Sequence, residues 1–172
     1  GTIATSTDGT SGSWTTATSN ETFLGLNGVG ANGTTTYVAA AGGVILKSTD
    51  NVTFNRTIAF STAAGIANPN LFVTKSLDGQ LYVAGGNNTA TGGLILRSAD
   101  GQSFTQVSSG HYDVTDIIKQ GGTLEAGVGV GGTASLSRTS ADGATCTTQT
   151  QTVPFTNIIR SINYLNGKFI IT

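Results

Sequence analysis

The seven residues Ser98-Ala99-Asp100-Gly101-Gln102-Ser103-Phe104 belong to a phrase that occurs four times in this chain of 172 residues. The other copies begin Ser6-Thr7-Asp8-Gly9, Ser48-Thr49-Asp50-Asn51 and Ser140-Ala141-Asp142-Gly143. Successive aspartates are 42, 50 and 42 residues apart. Each copy follows a short apolar run and precedes a residue that we expect to be buried: Trp14, Phe54, Phe104 and Cys146. A phrase that returns at such intervals indicates one supersecondary unit repeated along the chain.

A second set of turn pairs lies between the copies, at Asn32-Gly33, Asp78-Gly79, Gly121-Gly122 and Asn166-Gly167. These pairs tolerate the positive φ angles of tight hairpins. Helix-forming residues are scarce and apolar residues do not recur at helical spacing, so the pattern predicts strands only. Two turns per unit give four antiparallel strands in about 43 residues, which is typical of a β-propeller blade.

We therefore predict an all-β fold: one β-propeller domain over residues 1–172, with four short, four-stranded antiparallel blades. The repeats cover roughly 20–60, 61–110 and 111–152, and 156–172 plus 1–19 supply the two halves of the remaining blade. Pairing of the N- and C-terminal strands is expected to close the ring, because closure hides exposed sheet edges. The alternative is that these are consecutive blades, a fragment of a larger propeller.

The repeated phrase resembles the Asp-box, the repeat of bacterial neuraminidases, with one residue fewer between Asp and Gly. The resemblance implies a turn between the third and fourth strands of a blade, away from the substrate face. It implies structural roles for the box residues, in which the aspartate accepts hydrogen bonds from its own turn. These residues are Ser6, Asp8, Gly9, Trp14, Ser48, Asp50, Phe54, Ser98, Asp100, Gly101, Phe104, Ser140, Asp142 and Gly143.

Neuraminidase chemistry is a separate question from the repeat. The resemblance would imply three arginines gripping a carboxylate, a tyrosine nucleophile with a glutamate partner, and an aspartic acid. The four arginines here, Arg56, Arg97, Arg138 and Arg160, occupy different positions in the repeat, so we do not expect them to converge. We predict no catalytic residues, because function is built onto a fold site by site.

The composition excludes several classes of protein. Charged residues make up 10% of the chain, with 8 basic and 9 acidic side chains, so no basic surface for nucleic acid is expected. One cysteine and one histidine cannot make an internal disulfide or a multi-histidine metal site, and we expect neither metal nor cofactor. Apolar runs are too short to cross a bilayer, so membrane insertion is not expected either.

The densest polar cluster is His111, Tyr112, Asp113 and Asp116, placed at the start of an innermost strand. Such positions open onto the axial face of a propeller, so these four residues are the candidate ligand face. His111 could act as a general base oriented by Asp113 or Asp116. A solvated loop that happens to carry a histidine is the commoner arrangement, and we favour it.

These features predict a non-enzymatic structural or binding propeller that presents surface loops. Low charge and abundant Thr, Ser, Gly and Asn match phage virion or tail modules and bacterial cell-surface modules. We therefore expect an extracellular location, on a virion or a cell surface, and a role in attachment. The expected partners are proteins of a larger assembly or a surface glycan, with a homo-oligomer possible. The alternative is a carbohydrate-binding or sialidase-like, glycan-processing propeller, for which a pair of carboxylates would be required.

Overall fold

The structure, a computed structural model, describes the backbone of residues 1–21, 24–60, 62–63, 65–89, 91–130, 133–139, 146–152 and 158–172. Within these ranges it describes all side chains except those of 59, 62–63, 108–111, 129–130, 133–139 and 146–152. The described elements are strands, apart from one 3-10 turn at Ala41–Gly43. No helix in these ranges is long and apolar enough to cross a membrane.

The chain begins with an N-terminal hairpin, β1 (Ala4–Thr5) and β2 (Thr15–Thr16). The first sheet holds β3 (Thr18–Ser19), β4 (Leu26–Asn32), β5 (Thr35–Ala40), β6 (Val44–Ser48) and β7 (Thr53–Ala59). Its order is β3-β7-β6-β5-β4, antiparallel except that β3 runs parallel to β7. A small pair, β8 (Thr62–Ala63) and β9 (Ile66–Ala67), leads into the next sheet.

The second sheet holds β10 (Asn70–Leu77), β11 (Gln80–Gly86), β12 (Gly93–Ser98) and β13 (Thr105–His111). The third sheet holds β14 (Val114–Gln120), β15 (Thr123–Val130), β16 (Thr133–Thr139) and β17 (Cys146–Thr152). The C-terminal hairpin is β18 (Ile162–Leu165) and β19 (Lys168–Ile171). Within each of these sheets, strands adjacent in sequence pair antiparallel, as in a meander.

The turns between the first two strands of each unit use the predicted residues, with one shift. Asp78 and Gly79 both have positive φ, at 50° and 73°, and so do Asn166 and Gly167, at 52° and 76°. In the first sheet the expected pair Asn32-Gly33 is one residue out of place. Asn32 is the last residue of β4 and pairs with Thr35, so the turn is Gly33–Thr34. A single glycine with positive φ is sufficient there.

The Ser-x-Asp turns, at Ser6–Gly9, Ser48–Asn51 and Ser98–Gly101, share one hydrogen-bond pattern. In the third of these, Asp100 Oδ1 accepts the N–H groups of Gln102 and Ser103 at 2.8 Å, and the hydroxyl of Ser98 at 2.9 Å. The Ser98 hydroxyl oxygen in turn accepts the N–H of Gly101. The turn is therefore held by hydrogen bonds between its own residues.

The other two turns repeat this pattern with small changes. Asp50 Oδ1 accepts from Val52 and Thr53, and Asp8 Oδ1 accepts from the N–H and the hydroxyl of Thr10. The fourth residue has positive φ in all three turns: 74° at Gly9, 59° at Asn51 and 68° at Gly101. Asn51 therefore takes the place that glycine has in the other two turns, because asparagine adopts a positive φ more readily than most other non-glycine residues. The predicted box residues Ser140, Asp142 and Gly143 lie outside the described residues.

The residues after the turns differ in burial. Phe54 is buried and Phe104 is partly buried, with its ring edge-on to Phe60 at 5.8 Å between centroids. Trp14, which we expected to be buried, is 56% exposed. The first turn is two residues longer, so Trp14 lies before β2 and does not reach the position that Phe54 takes within β7. The side chain of Cys146 lies outside the described residues.

Both faces of the sheets are apolar, and each face packs against a neighbour. Tyr37, Ala39 and Ile45 of the first sheet form one buried cluster with residues of the second. Val38 and Leu46, on the opposite face, cluster with Ile3 of the N-terminal hairpin. The second and third sheets share a further cluster, and Ile118 packs against the C-terminal hairpin. The sheets therefore follow one another side by side, in the order of the sequence.

We call the first strand of each unit its inner strand. The inner strand of the first sheet, β4, approaches that of the second sheet, β10, very closely. A Cβ atom on Gly28 would lie 2.3 Å from the carbonyl oxygen of Phe72, and one on Gly30 would lie 2.2 Å from that of Thr74. Ser76 donates to the side chain of Asn32 across the same gap. Glycine is required at positions 28 and 30 of β4 because the backbone of β10 occupies the space that a side chain would need.

The terminal hairpins do not pair with each other in the described residues. β1 pairs with β2, and β19 pairs with β18, in two separate two-stranded sheets. Each hairpin instead packs on its neighbour in sequence: Ile3 on the first sheet, and Ile162 beside Ile118 of β14. The expected joining of the two ends into one sheet is therefore absent from the described structure.

Substitution Gly30→Ala is expected to lower the free energy of unfolding by about 2 kcal/mol or more, because the new methyl group meets backbone that cannot rotate away. Gly25→Ala is the matched control: its Cβ would have nearest neighbours at 3.8 Å, and we expect a change within about 0.5 kcal/mol. Urea denaturation measures both. Equal effects of the two substitutions would contradict the close approach.

The Ser-x-Asp turns make stability depend on pH below 4. The N–H groups of Ser103 and then Gln102 hold the pKa of Asp100 at about 2, below its ordinary value of 3.8. A carboxyl whose pKa is lowered by folding stabilises the native state above its unfolded pKa, and this stabilisation is lost as pH falls towards the folded value. We therefore expect the stability difference between the native chain and Asp100→Asn to be full at pH 7, to shrink below about pH 4, and to be lost as the pH falls through about 2.

Thermal unfolding of the two proteins at a series of pH values between 7 and 2 measures this difference. Asp50→Asn should behave in the same way, since backbone N–H groups, first that of Thr53, lower the pKa of Asp50 too. A difference that stays constant over the whole range would show that the charge of the carboxylate has no part in the turn.

Candidate functional site

The predicted ligand face lies where the second sheet passes into the third. His111 is the last residue of β13, so it ends an outer strand and does not begin an inner one; its side chain lies outside the described residues. Tyr112 is partly buried and packs on the apolar cluster between these two sheets. The two aspartates of the predicted face, Asp113 and Asp116, flank the start of β14 at Val114.

Asp113 is buried and holds the neighbouring loop. Both of its carboxylate oxygens lie 3.0 Å from the backbone nitrogen of Asn88, which donates to them. Asn88 has a positive φ of 62°, and Gly86 lies so near that a Cβ there would be 2.0 Å from Asp113 Oδ1. The carboxylate therefore fixes the loop between β11 and β12 against the start of β14.

Asp116 is also buried, and its carboxylate joins three inner strands. Oδ1 lies 2.5 Å from the ammonium group of Lys75 on β10. Oδ2 accepts the hydroxyl of Ser161 at 3.1 Å and the N–H of Ile162 on β18 at 3.0 Å. Lys75 also donates to the carbonyl of Ile117. Asp116 is thus a structural bridge between the second sheet, the third sheet and the C-terminal hairpin.

A β-bulge recurs at one position of the inner strands. The pairing with the second strand shifts between Leu26 and Gly28, between Leu71 and Val73, and between Val114 and Asp116. The skipped residues are Asn27, Phe72 and Thr115, each five residues before the last residue of its strand. The same count on β18 leads to Arg160. Bulges redirect side chains, and they are enriched beside binding sites.

These four positions line one open cleft of about 490 Å³, which we call the bulge cleft. Its polar lining is Asn27, Asn88, Asp113, Thr115 and Arg160. Its apolar lining is Leu26, Phe72 and Ile158. The volume is in the range of small-molecule sites, and the mixture of apolar walls with a few polar groups is typical of them.

Arg160 is the cation of the cleft. Its side chain is exposed, and no acidic side chain among the described residues forms an ion pair with it. The polar side chains at the equivalent positions are already bonded to neighbouring strands: Asn27 donates to the carbonyl of Leu71, and Thr115 to that of Ile159. An anionic group entering the cleft would therefore meet the guanidinium of Arg160.

The arginines described in the structure do not come together. Arg56 pairs with Glu21, and Arg97 lies on β12 opposite Tyr82. Arg160 alone of these lines the bulge cleft, and the side chain of Arg138 lies outside the described residues. Sequence reasoning treated Arg160 as one of four scattered arginines. Alignment of the four tight turns, followed by a count of five residues back along each strand, would have revealed its equivalence to Asn27 and Phe72.

In the described part of the chain, no three histidine, cysteine, aspartate or glutamate residues are grouped as metal ligands would be. The ligand face predicted from the sequence is thus divided. Asp113 lines the cleft, Tyr112 packs on the cluster between the second and third sheets, and Asp116 joins strands.

Comparison with protein-family models gives no match, and comparison with curated protein sequences gives none either. Solved structures do match. YCF48 bound to a D1 peptide superposes with a TM-score of 0.62 at 12% identity, over 90% of this chain and 48% of that one. The computationally designed Ika4 protein has a TM-score of 0.60 at 9% identity, over 90% and 89% of the two chains.

A third match is the GH32 β-fructofuranosidase BmSUC1 of Bombyx mori in complex with sucrose. Its TM-score is 0.53 at 15% identity, over 91% of this chain and 44% of that one. The chain thus spans about half the length of YCF48 and of the fructofuranosidase. At such identities the likeness concerns the fold and not the chemistry. Together with the succession of one five-stranded and two four-stranded sheets, it shows that this chain has a β-propeller fold.

Proposed function

We propose that this propeller module is a non-enzymatic binding protein, and that its bulge cleft holds an acidic segment of a protein partner. One observation carries the proposal: the bulged residues of three inner strands and Arg160, at the equivalent position before β18, line one cleft. Arg160 presents a guanidinium there that has no ion-pair partner among the described residues. Arginine is suited to this task because its planar fork matches a carboxylate.

The state of the two aspartates favours binding over proton transfer. Asp113 accepts hydrogen bonds from Asn88 through both oxygens, and Asp116 is held by Lys75, Ser161 and Ile162. A general acid or base must be free to exchange a proton with its substrate. Here that exchange would break the bonds that hold the strands and the loop in place.

The shape and lining of the cleft suit an extended peptide. Leu26, Phe72 and Ile158 give apolar contacts for side chains, and Asn88 and Thr115 give polar groups beside them. Among the matching structures, that of YCF48 contains a bound peptide. This precedent supports a peptide ligand for the fold, and the charge of Arg160 selects an acidic one.

A surface glycan is the second candidate, and the lining of the cleft favours it in one respect. Asn27, Asn88 and Phe72 line the same cleft, and amide groups together with an aromatic ring suit the hydroxyl groups and the apolar face of a sugar. A sialylated glycan would also bring a carboxylate to Arg160. Peptide and glycan therefore share the anionic group and differ in the rest of the ligand.

We also infer an extracellular place for the module, on a virion, phage tail or bacterial cell surface, with a role in attachment. The support is compositional: 10% charged residues and an abundance of small polar residues and glycine. An antibody against the chain should label intact virions or unpermeabilised cells. Labelling that appears only after permeabilisation would contradict this location.

The ligand class can be tested with a library of acidic and neutral peptides and a panel of sialylated and neutral glycans, both presented to the purified chain. We expect acidic peptides to bind, and Arg160→Gln to weaken that binding tenfold to a hundredfold. Loss of a hydrogen bond to a charged group costs about 1.5–3 kcal/mol, and each ~1.4 kcal/mol is a factor of ten.

Arg56→Gln is the matched control for this experiment. It removes the same charge at a residue that pairs with Glu21 away from the cleft, and should change the affinity less than about twofold. Binding only to sialylated glycans, lost in Arg160→Gln, would replace the peptide by the second candidate. Equal binding by both variants would overturn the role of the cleft, and hydrolysis of any glycan would overturn the non-enzymatic assignment.

A further inference from the structure

Two of the four equivalent positions in the bulge cleft hold the inner strands together. Asn27 donates a side-chain N–H to the carbonyl oxygen of Leu71 at 2.9 Å. The hydroxyl of Thr115 donates to the carbonyl oxygen of Ile159. In both cases the acceptor is the residue immediately before the equivalent cleft position of the next inner strand. The hydrogen bond is therefore a repeated link between neighbouring inner strands.

Phe72 interrupts this series. The same link between the second and third sheets would join residue 72 to the carbonyl oxygen of Val114, which immediately precedes Thr115. Phenylalanine has no side-chain hydrogen-bond donor, so this link cannot form. The ring of Phe72 is instead partly buried: it packs on the apolar cluster between these two sheets, and it also lines the cleft. A departure of one repeat from the pattern of the others is expected at functional sites.

Arg160 is the second equivalent position that the scaffold does not use. Its guanidinium forms no hydrogen bond or ion pair with the residues that the structure describes. The carboxylate of Asp113, in the same cleft, is already occupied by the backbone N–H of Asn88. Among the four equivalent positions, Phe72 and Arg160 are therefore the two whose side chains are available to a ligand.

The two available side chains belong to inner strands that are not adjacent. Phe72 lies on β10 and Arg160 lies just before β18, with Thr115 of β14 between them in the order of the sheets. All three residues line the same cleft, so a ligand that contacts both Phe72 and Arg160 spans the position of Thr115. An extended peptide advances about 3.3 Å per residue and can span it with a few residues.

The chemistry of the two positions is different, and the ligand must match both. The guanidinium of Arg160 suits a carboxylate. The ring of Phe72 presents apolar surface that is released from water when an apolar side chain covers it, and a second aromatic ring adds the favourable edge-to-face or offset contact. Leu26 and Ile158 extend the apolar lining beside these two residues. An acidic side chain alone would leave this apolar surface in contact with water.

We propose that the bulge cleft recognises two side chains of an extended peptide, an acidic residue at Arg160 and an aromatic residue, one to three positions away, at Phe72. Resting on the proposed function, this two-point recognition adds Phe72 as the residue that distinguishes one acidic peptide from another. The links made by Asn27 and Thr115 hold the inner strands in place, so the scaffold fixes the spacing of the two anchors.

Short glycine-serine peptides, acetylated and amidated so that their ends carry no charge, test the proposal by titration calorimetry. One set carries an aspartate and a phenylalanine one to three positions apart, and the second set has alanine in place of the phenylalanine. We expect at least one peptide of the first set to bind about tenfold more tightly than its alanine counterpart. Equal affinities for the two sets, both weakened by Arg160→Gln, would overturn the second anchor and leave the acidic anchor of the proposed function intact.

Phe72→Asn tests the residue itself. The new side chain can donate to the carbonyl oxygen of Val114 as Asn27 donates to that of Leu71, while the apolar anchor is lost. We expect about tenfold weaker binding of the aspartate-phenylalanine peptide and a change of less than about twofold for its alanine counterpart. A merely structural role of Phe72 would weaken both peptides equally, and that result would overturn the proposal.

Leu77→Asn is the matched control. Leu77 is also partly buried on the cluster between the second and third sheets, but it lies at the opposite end of β10 from Phe72. This variant should change both affinities less than about twofold. If the urea midpoint shows that Phe72→Asn does not fold, Phe72→Leu keeps the apolar packing and should weaken only the aspartate-phenylalanine peptide, about threefold. Failure of every acidic peptide to bind the native chain would contradict the proposed function itself.

Discussion

Burial of both sheet faces is the constraint on which the rest of this structure depends. The first sheet is apolar on one side through Tyr37 and Ile45, and on the other through Val38 and Leu46. Burial of such side chains contributes about 1.5–3 kcal/mol each, so a sheet of this kind is stable only between two neighbours. The sheets consequently pack face to face in succession, as propeller blades do, and do not form the two layers of a β-sandwich.

The same constraint brings the inner strands together and creates the cleft. β4 lies so near β10 that only glycine fits at 28 and 30, and Asp116 joins three inner strands through one carboxylate. Where two inner strands lie this close, there is no room between them for every side chain of those strands. The bulges at Asn27, Phe72 and Thr115 divert one side chain per strand, and the diverted side chains meet in one place.

Local chemistry made most of the fold predictable. Two kinds of turn depend only on residues close together in sequence, so short motifs can indicate them. They are the tight turns at Asp78-Gly79 and Asn166-Gly167 and the turns held by the hydrogen bonds of Asp50 and Asp100. Trp14 was misjudged because two extra residues in its turn displace it from the strand. The pairing of the chain ends could not be read from the motifs, since it depends on how neighbouring sheets are placed.

The candidate site was less accessible to such reasoning. The sequence grouped Asp113 and Asp116 because they are close along the chain. A bulge lies between Val114 and Asp116, and the two carboxylates contact different elements: Asp113 the β11–β12 loop, and Asp116 strands β10 and β18. Arg160 was not singled out, because its role depends on its equivalence with Thr115, 45 residues earlier, and with Phe72 and Asn27 still further back along the chain. Sites assembled from one residue per repeat appear only when the repeats are aligned with their bulges.

The placement of the bulges has a consequence for how such a molecule can diversify. A bulged residue stands outside the ladder of strand pairing, so its replacement leaves the register of the strands in its own sheet unchanged. Asparagine, phenylalanine, threonine and arginine already occupy the four equivalent positions within this single sequence. Mutation at these points can therefore create a new recognition surface while the pairing of the strands that carry it stays the same.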